Sequence, residues 1–213
     1  AAATPRLAAG KPFSPRELPT LFAAPALRNI YVVTALFATA HFTCYSYIEP
    51  FLQQVAHFPD DLITLTLVLY GAAGMAGSAL LSRTYGRMRF PLMRAVVIGV
   101  AASMALLLAT AASAAATVAV CALWGACYTA YNVAFQSEVL ANSPEDASAV
   151  AMSAYSGIFN LGIGSGTWVG GAVAQAAGIA DVGLAGALVG LAAFAVCSVH
   201  LVRSIKRAEA PAA

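Results

Sequence analysis

Six windows of about 20 residues, each long enough to cross a lipid bilayer as a helix, follow one another along the chain. Together they hold only two charged residues, Glu49 and Arg94. The chain is 61% hydrophobic and 9% charged, whereas soluble proteins are about a quarter charged. The sequence therefore predicts an all-α integral membrane protein with six transmembrane helices, over about 29–55, 62–81, 91–112, 115–136, 149–178 and 182–202.

The segments between the windows predict the topology. All 11 Lys and Arg residues lie before the first window, in or flanking the connection between the second and third, or after the sixth. The connections at the other end carry Asp60, Asp61 and Asp181. Because short loops rich in Lys and Arg stay on the cytoplasmic side of the membrane, both termini are predicted to be cytoplasmic. This placement accounts for the net charge of +2, so no nucleic-acid partner is expected.

The ends of the chain differ in composition from its centre. Residues 1–27 carry five prolines among the 10 of the chain, which disfavours regular helix and indicates a cytoplasmic linker. Residues 28–207 form the predicted six-helix bundle, and 208–213 a cytoplasmic tail. The first residue is not methionine, so we expect the chain to begin within a cytoplasmic loop of a longer or processed protein.

Ionisable residues occur inside the first window, in "TAHFTCYSYIEPFLQQ". On one continuous helix His41, Tyr45 and Glu49 would share a face about 12 Å long, and Pro50 would introduce a kink at the level of Glu49. Ionisable groups are costly in lipid, so this face is expected to look into the bundle or a water-filled path. The alternatives are a histidine satisfied by a neighbouring hydroxyl or carbonyl and a glutamate that reaches the headgroups.

Polar rows recur in the fourth and fifth windows. Tyr128, Asn132 and Gln136 lie at i, i+4 and i+8, and the fifth window brings Asn160 onto a face with two serines. Such groups can hold helices together in the membrane by hydrogen bonds. Amides and aromatic rings in this number also suit a site that binds a neutral polar solute such as a sugar, through hydrogen bonds and ring stacking.

Small residues in the fifth window predict close helix packing. Gly162, Gly166 and Gly170 recur every four residues and so lie on one stripe of a helix. In lipid, small residues let two helix backbones approach closely. A glycine-lined seam would also let helices slide or bend.

Motifs of known enzyme classes are absent from the sequence. It has no HExxH, no GxSxG elbow, no phosphate-binding GxxxxGK[ST] and no cysteines at metal-ligand spacing. The interpretation is a protein that is not an enzyme and has no metal or catalytic site. An intramembrane enzyme with His41 and Glu49 as acid and base would need a nucleophile or metal ligand on a facing helix, and none stands out.

Several of these features resemble a known family. The order of six spans, the proline-rich basic leader, "YSYIEPFLQQ", "GRMR" and "NVAFQSEVL" resemble the second half of a major facilitator superfamily transporter. Within it, they are most similar to the bacterial sugar efflux group of the drug/proton antiporter branch. "LLSRTYGRMRF" resembles the superfamily signature GxLxDRxGRR at Gly86, Arg87 and Arg89, but departs from it at Ala79 and Arg83.

This resemblance implies a fold and a function. The chain would be one bundle of a twelve-helix transporter of the bacterial inner membrane, paired with a missing N-terminal six-helix half, with the substrate cavity between the two. It would export sugars or similar small polar solutes, driven by the proton gradient and without a cofactor. His41, Tyr45, Glu49, Tyr128, Asn132, Gln136 and Asn160 would line the path, with His41 and Glu49 as candidate proton carriers. The alternatives are drug efflux, solute uptake, or a structural membrane subunit that does not transport.

Overall fold

The computed structural model describes residues 22–210, which are helical with no strand in that range. The long helices are joined by short turns, and a π-helical segment over Cys197–Leu201 precedes the last helix. In chain order the helices are α1 (Pro25–Tyr45), α2 (Ile48–Gln54), α3 (Asp60–Thr110), α4 (Ala114–Ala141), α5 (Ser148–Ala176), α6 (Val182–Val196) and α7 (Val202–Glu209).

The predicted limits of the helical bundle, 28 and 207, lie within three residues of the observed ends of its first and last helices. α1 begins at Pro25, which has the fixed φ that suits a first helical position, so its first three residues fall in the predicted linker. Residues 1–21 of that linker lie outside the described part of the chain. α7 ends at Glu209, two residues into the predicted tail.

The first predicted span is two helices rather than one kinked helix. α1 ends at Tyr45 and α2 begins at Ile48, with Tyr47 between them at φ −120° and ψ 13°. The prediction placed the break at Glu49, but it lies at Ser46 and Tyr47. The physical cause is the expected one: Pro50 has no N–H to donate to the carbonyl of Ser46, so the helical ladder stops one turn before the proline.

α3 contains two of the predicted spans. Its 51 residues would measure about 76 Å if straight, more than twice the hydrocarbon thickness of a bilayer. Met88 departs from helical geometry, with φ −128° and ψ 33°, and divides the helix into two arms, residues 60–87 and 89–110.

Contacts with α4 show that the two arms of α3 fold back on each other. A Cβ added to Gly77 would lie 2.5 Å from the carbonyl oxygen of Ala126, and one added to Gly99 would lie 2.5 Å from Sγ of Cys127. In a straight helix Gly77 and Gly99 would be about 33 Å apart. Because both meet adjacent residues of α4, the chain reverses near Met88 and α3 is a hairpin.

Three helical segments are long and apolar enough to cross a membrane by length and composition: Asp60–Thr110, Ala114–Ala141 and Ile179–Glu209. The first is the α3 hairpin. α1 and α5 are not among them, because threonines, serines, glycines and polar side chains dilute their hydrophobicity. The prediction of an all-helical membrane protein is confirmed, whereas the count of six spans stays a prediction.

α1 lies at the centre of the packing. Tyr31 Oη donates to the carbonyl of Ala151 in α5 over 3.1 Å, and Tyr131 Oη of α4 donates to Thr34 Oγ1 over 3.1 Å. The Phe37 ring stacks on Tyr131 with centroids 3.5 Å apart. α1 therefore bridges α4 and α5, and its polar residues face neighbouring helices rather than lipid.

Candidate functional site

An aromatic stack surrounds His41 where α1, the first arm of α3 and α4 meet. The imidazole is fully buried and lies parallel to the Tyr128 ring, with centroids 3.9 Å apart and planes 10° apart. The ring centroid of Tyr45 lies 5.0 Å from that of the same imidazole, and the ring centroid of Tyr70 lies 5.3 Å from that of Tyr45. Trp124 meets His41 edge to face at 5.4 Å. We call these five residues the aromatic stack.

The hydrogen bonds of the stack leave two polar atoms without partners. Trp124 Nε1 donates to His41 Nδ1 over 3.1 Å. Since an indole N–H can only donate, Nδ1 is the acceptor and the neutral imidazole carries its hydrogen on Nε2. His41 Nε2 and Tyr70 Oη are both buried and bond nothing among the described residues. An unpaired buried polar group costs about 1–3 kcal/mol, so both groups favour a ligand that can pair with them.

The predicted row on α4 extends from this stack. Tyr128 is half-buried, Asn132 lies one turn further along, and Gln136 is exposed on the bundle surface. Asn132 Nδ2 donates to the carbonyl of Tyr128 over 3.0 Å, which leaves its second N–H and its carbonyl oxygen available. The row therefore continues from an enclosed aromatic region to an accessible amide.

Glu49 lies apart from His41. The break after Tyr45 places Glu49 on α2, so the prediction of one continuous face through His41, Tyr45 and Glu49 is wrong. Glu49 is exposed and lines a pocket of about 500 Å³. Tyr45 lines the same pocket, along with Gln53 and Leu67. Tyr45 thus belongs to both the aromatic stack and the pocket that holds Glu49.

Asn160 lies on α5, which contributes no member to the aromatic stack. It is exposed on α5, and its Nδ2 donates to the carbonyl of Ser156 one turn earlier over 2.8 Å. The neighbouring Phe159 contacts Phe42 of α1, with ring centroids 6.2 Å apart. The structure does not bring Asn160 into the aromatic stack.

The three glycines of α5 pack against α1. A Cβ added to Gly162 would lie 2.5 Å from Cβ of Ala38. At Gly166 and Gly170 the added Cβ would collide with the carbonyl oxygens of Thr39 and Thr43. The stripe therefore allows the two backbones to approach closely along three turns.

Sequence reasoning missed Trp124 and Tyr70. Trp124 lies four residues before Tyr128, so the i, i+4 spacing that identified the row would have included it had the indole N–H been counted as a polar group. Tyr70 is one isolated polar group in an apolar stretch of α3. Its position is settled only by the packing of α3 against α4.

A second polar cluster, missed by the sequence reasoning, lies at the end of the bundle that carries the basic residues. Arg89 binds both carboxylate oxygens of Glu138, through Nε and Nη2 at 2.5 Å each. Tyr85 Oη donates to the same carboxylate, and Asn142 Nδ2 donates to Oε2 over 3.2 Å. Arg89 also binds Glu209 of α7. The Glu138 side chain is 1% exposed, so a buried carboxylate joins the α3 turn to α4, and Arg89 extends the cluster to α7.

The Trp124–His41 bond gives a first prediction. Trp124→Phe removes the only donor to Nδ1, which leaves a further buried polar atom unpaired and is expected to lower the free energy of unfolding by about 1–3 kcal/mol. Trp168→Phe is the matched control, since Trp168 is 75% exposed. Thermal unfolding of both variants in detergent measures the difference. Equal melting temperatures would show that the bond contributes nothing.

The chain matches a protein-family model. The model described as the Major Facilitator Superfamily matches residues 1–167. The match runs from the start of the chain into α5. It includes all seven predicted path residues and every member of the aromatic stack.

Proposed function

Because the chain belongs to the Major Facilitator Superfamily, whose members are membrane transporters, we propose that it forms one six-helix bundle of a secondary transporter that exports sugars or similar small polar solutes in exchange for protons. The observation that carries the solute assignment is the pair of unpaired buried atoms, His41 Nε2 and Tyr70 Oη, inside a stack of aromatic rings. Aromatic faces and neutral hydrogen-bonding groups together suit a sugar ring better than an ion.

The path is assigned to one side of the bundle. The aromatic stack binds the solute, while Asn132 and Gln136 extend the row of hydrogen-bonding groups along α4. Gln136, Asn160 and Glu49 are exposed on this isolated bundle. Polar side chains are unfavourable against lipid, so their exposure supports a second bundle that encloses them.

Glu49 is the better of the two candidate proton carriers. It is exposed in an open pocket that Tyr45 also lines. Because Tyr45 belongs to the aromatic stack, a proton exchanged at Glu49 lies next to the stack. His41 is less suited, because Trp124 already donates to Nδ1 and protonation at that atom requires the bond to break. The charge distribution of the sequence favours the noncytoplasmic side for this pocket.

The transport assay for this function uses the full transporter in membrane vesicles with an imposed pH gradient. Glu49→Gln is expected to abolish the dependence of sugar efflux on the gradient. Asp61→Asn is the control, because Asp61 is also an exposed acid beyond the first predicted span. Efflux by Glu49→Gln that still follows the gradient would contradict a coupling role for Glu49.

Tyr70→Phe separates a binding role from a structural one. The hydroxyl has no partner among the described residues, so its removal is expected to leave the melting temperature unchanged or slightly higher. If the hydroxyl binds the solute, the same variant should weaken apparent affinity about 5- to 30-fold, the effect of losing one hydrogen bond of about 1–2 kcal/mol. A panel of labelled mono- and disaccharides measures this loss. Unchanged affinity for every transported sugar would remove Tyr70 from the site.

Drug efflux is the second candidate function. Every member of the stack presents an aromatic ring, so most of its surface is aromatic. The five residues are His41, Tyr45, Tyr70, Trp124 and Tyr128. Such a surface also suits flat apolar compounds. Transport of planar aromatic compounds without transport of any saccharide would favour this function. Inward flux of the same solutes would indicate uptake. The absence of any flux would indicate a purely structural subunit.

A further inference from the structure

A pocket of about 910 Å³ lies at the end of the bundle opposite Glu49. It opens between the first turn of α1, the turn after α4, and the segment from the π-helix into α7. Four of its lining residues are Arg28, His200, Arg203 and Arg207. We call it the basic pocket. None of the residues assigned to solute transport lines it.

Carboxylates of the described residues do not balance the charges in the basic pocket. Its lining has three arginines and one carboxylate, Glu209, which gives +3 − 1 = +2 with His200 neutral. Within residues 22–210 the ion pairs are those of Arg89 with Glu138 and Glu209. The carboxylate of Glu209 is therefore already bound, and the pocket arginines have no acidic partner in the described part of the chain.

Neutral hydrogen-bonding groups complete the lining. Asn29 Nδ2 donates to Ser204 Oγ over 3.1 Å, which links α1 to α7 across the pocket. Asn142 and Ser143 line the opposite wall. Guanidinium groups with amide and hydroxyl donors form the usual set for a phosphate, whose oxygens accept several hydrogen bonds at once.

The position of α7 favours a phosphate that belongs to a lipid. Val202 and Ile205 are buried, whereas Arg203, Lys206 and Arg207 are exposed, so the helix is amphipathic with a basic outer face. It directly continues the apolar segment that begins at Ile179, so it lies where a spanning helix leaves the membrane. Basic pockets between helices at this level are typical sites for anionic lipid headgroups.

We propose that the basic pocket binds the phosphate of an anionic phospholipid headgroup, held by Arg28, Arg203 and Arg207. Arg203 and Arg207 lie one helical turn apart on α7 and approach from one wall, while Arg28 approaches from α1. A bound headgroup thus ties the start of α1 to the end of the bundle. This proposal does not depend on the solute or on the direction of transport.

The test compares two double variants of the full chain with the same change in charge. Arg203→Gln with Arg207→Gln removes two charges from the pocket. Arg83→Gln with Arg87→Gln removes two exposed charges near the α3 turn, outside the pocket. Binding of phosphatidylglycerol and of phosphatidylcholine to each purified protein is measured by native mass spectrometry, after size-exclusion chromatography has shown that the variants fold.

The parent is expected to retain phosphatidylglycerol in preference to phosphatidylcholine. The pocket variant should bind phosphatidylglycerol at least about tenfold more weakly, since each basic residue contributes about a fivefold factor near an anionic surface. The α3-turn variant should stay within about threefold of the parent. Equal losses in both double variants would show diffuse surface attraction and overturn the proposal.

Competition distinguishes a lipid from a soluble phosphate compound. Inorganic phosphate and glycerol phosphate are added to the complex of the parent with phosphatidylglycerol at matched ionic strength. If the lipid is the occupant, neither should displace it at concentrations well above that of the lipid. Displacement at equal concentration, or the absence of retained anionic lipid in the parent, would overturn the lipid assignment.

Discussion

Gly166→Val is expected to lower the free energy of unfolding by about 3 kcal/mol or more, because the new side chain has no space between α5 and α1. A Cβ at this position would collide with the carbonyl oxygen of Thr39 and lie 2.9 Å from the amide nitrogen of Thr43. Both are backbone atoms, so relief requires the two helices to separate rather than a side chain to rotate. The seam would then lose the close packing on which helix association in lipid depends.

The control for this variant is Gly164→Val. Gly164 lies two residues earlier on α5, and a Cβ there would meet nothing within 4 Å. The same chemical change therefore has the same intrinsic effect on helix propensity without the collision. Thermal unfolding monitored by size-exclusion fluorescence should place Gly164→Val near the parent and Gly166→Val far below it. Equal melting temperatures would show that the α1–α5 seam is not tightly packed.

Glu138→Gln is expected to lower the free energy of unfolding by about 3 kcal/mol, since removing one partner of a buried ion pair leaves the other charge uncompensated. The carboxylate of Glu138 is 1% exposed and receives hydrogen bonds from Arg89, Tyr85 and Asn142. The glutamine side chain has one carbonyl oxygen in place of two carboxylate oxygens, and its NH2 group can only donate, so it cannot accept from all three residues. Arg89 is 25% exposed and retains Glu209, which keeps the loss from being larger.

Glu145→Gln is the matched control for Glu138→Gln. Glu145 is exposed in the turn that follows α4, and its side chain makes no hydrogen bond within residues 22–210. Urea-induced unfolding in mild detergent compares the two variants with the parent. If Glu138→Gln unfolds at the same concentration as Glu145→Gln, the ion pair contributes no net stability, and its desolvation cancels its attraction.

The membrane class and the helices follow from short-range patterns in the sequence. The apolar windows predicted segments that are helical in the structure, because a chain in lipid must satisfy its backbone groups within each helix. Pro50 predicted a kink at the level of Glu49, whereas the structure breaks the span into two helices two to three residues earlier, at Ser46 and Tyr47. The spacing of Gly162, Gly166 and Gly170 placed three small residues on one side of α5, where the structure packs them on α1.

The composition of the site depends on long-range contacts that the sequence does not display. Spacing grouped Tyr128 and Asn132 because they lie on one helix. It grouped Glu49 with His41 for the same reason, and the break after Tyr45 removed that relation. Tyr70 joins the site only because the α3 hairpin lays its first arm along α4. The buried role of Glu138 could not be predicted from spacing, since its partner Arg89 lies 49 residues away in the sequence.

A solute that binds at the aromatic stack should change the fluorescence of Trp124, which belongs to the stack. The sequence contains two tryptophans, so Trp168→Phe leaves Trp124 as the only one in this chain, and any tryptophan of the second bundle is likewise replaced by Phe. Titration of this variant with each saccharide it transports should give a saturable change in emission, and the added change Tyr70→Phe should shift the titration to higher concentration. Transport of a saccharide with no change in Trp124 emission at saturation would contradict the account.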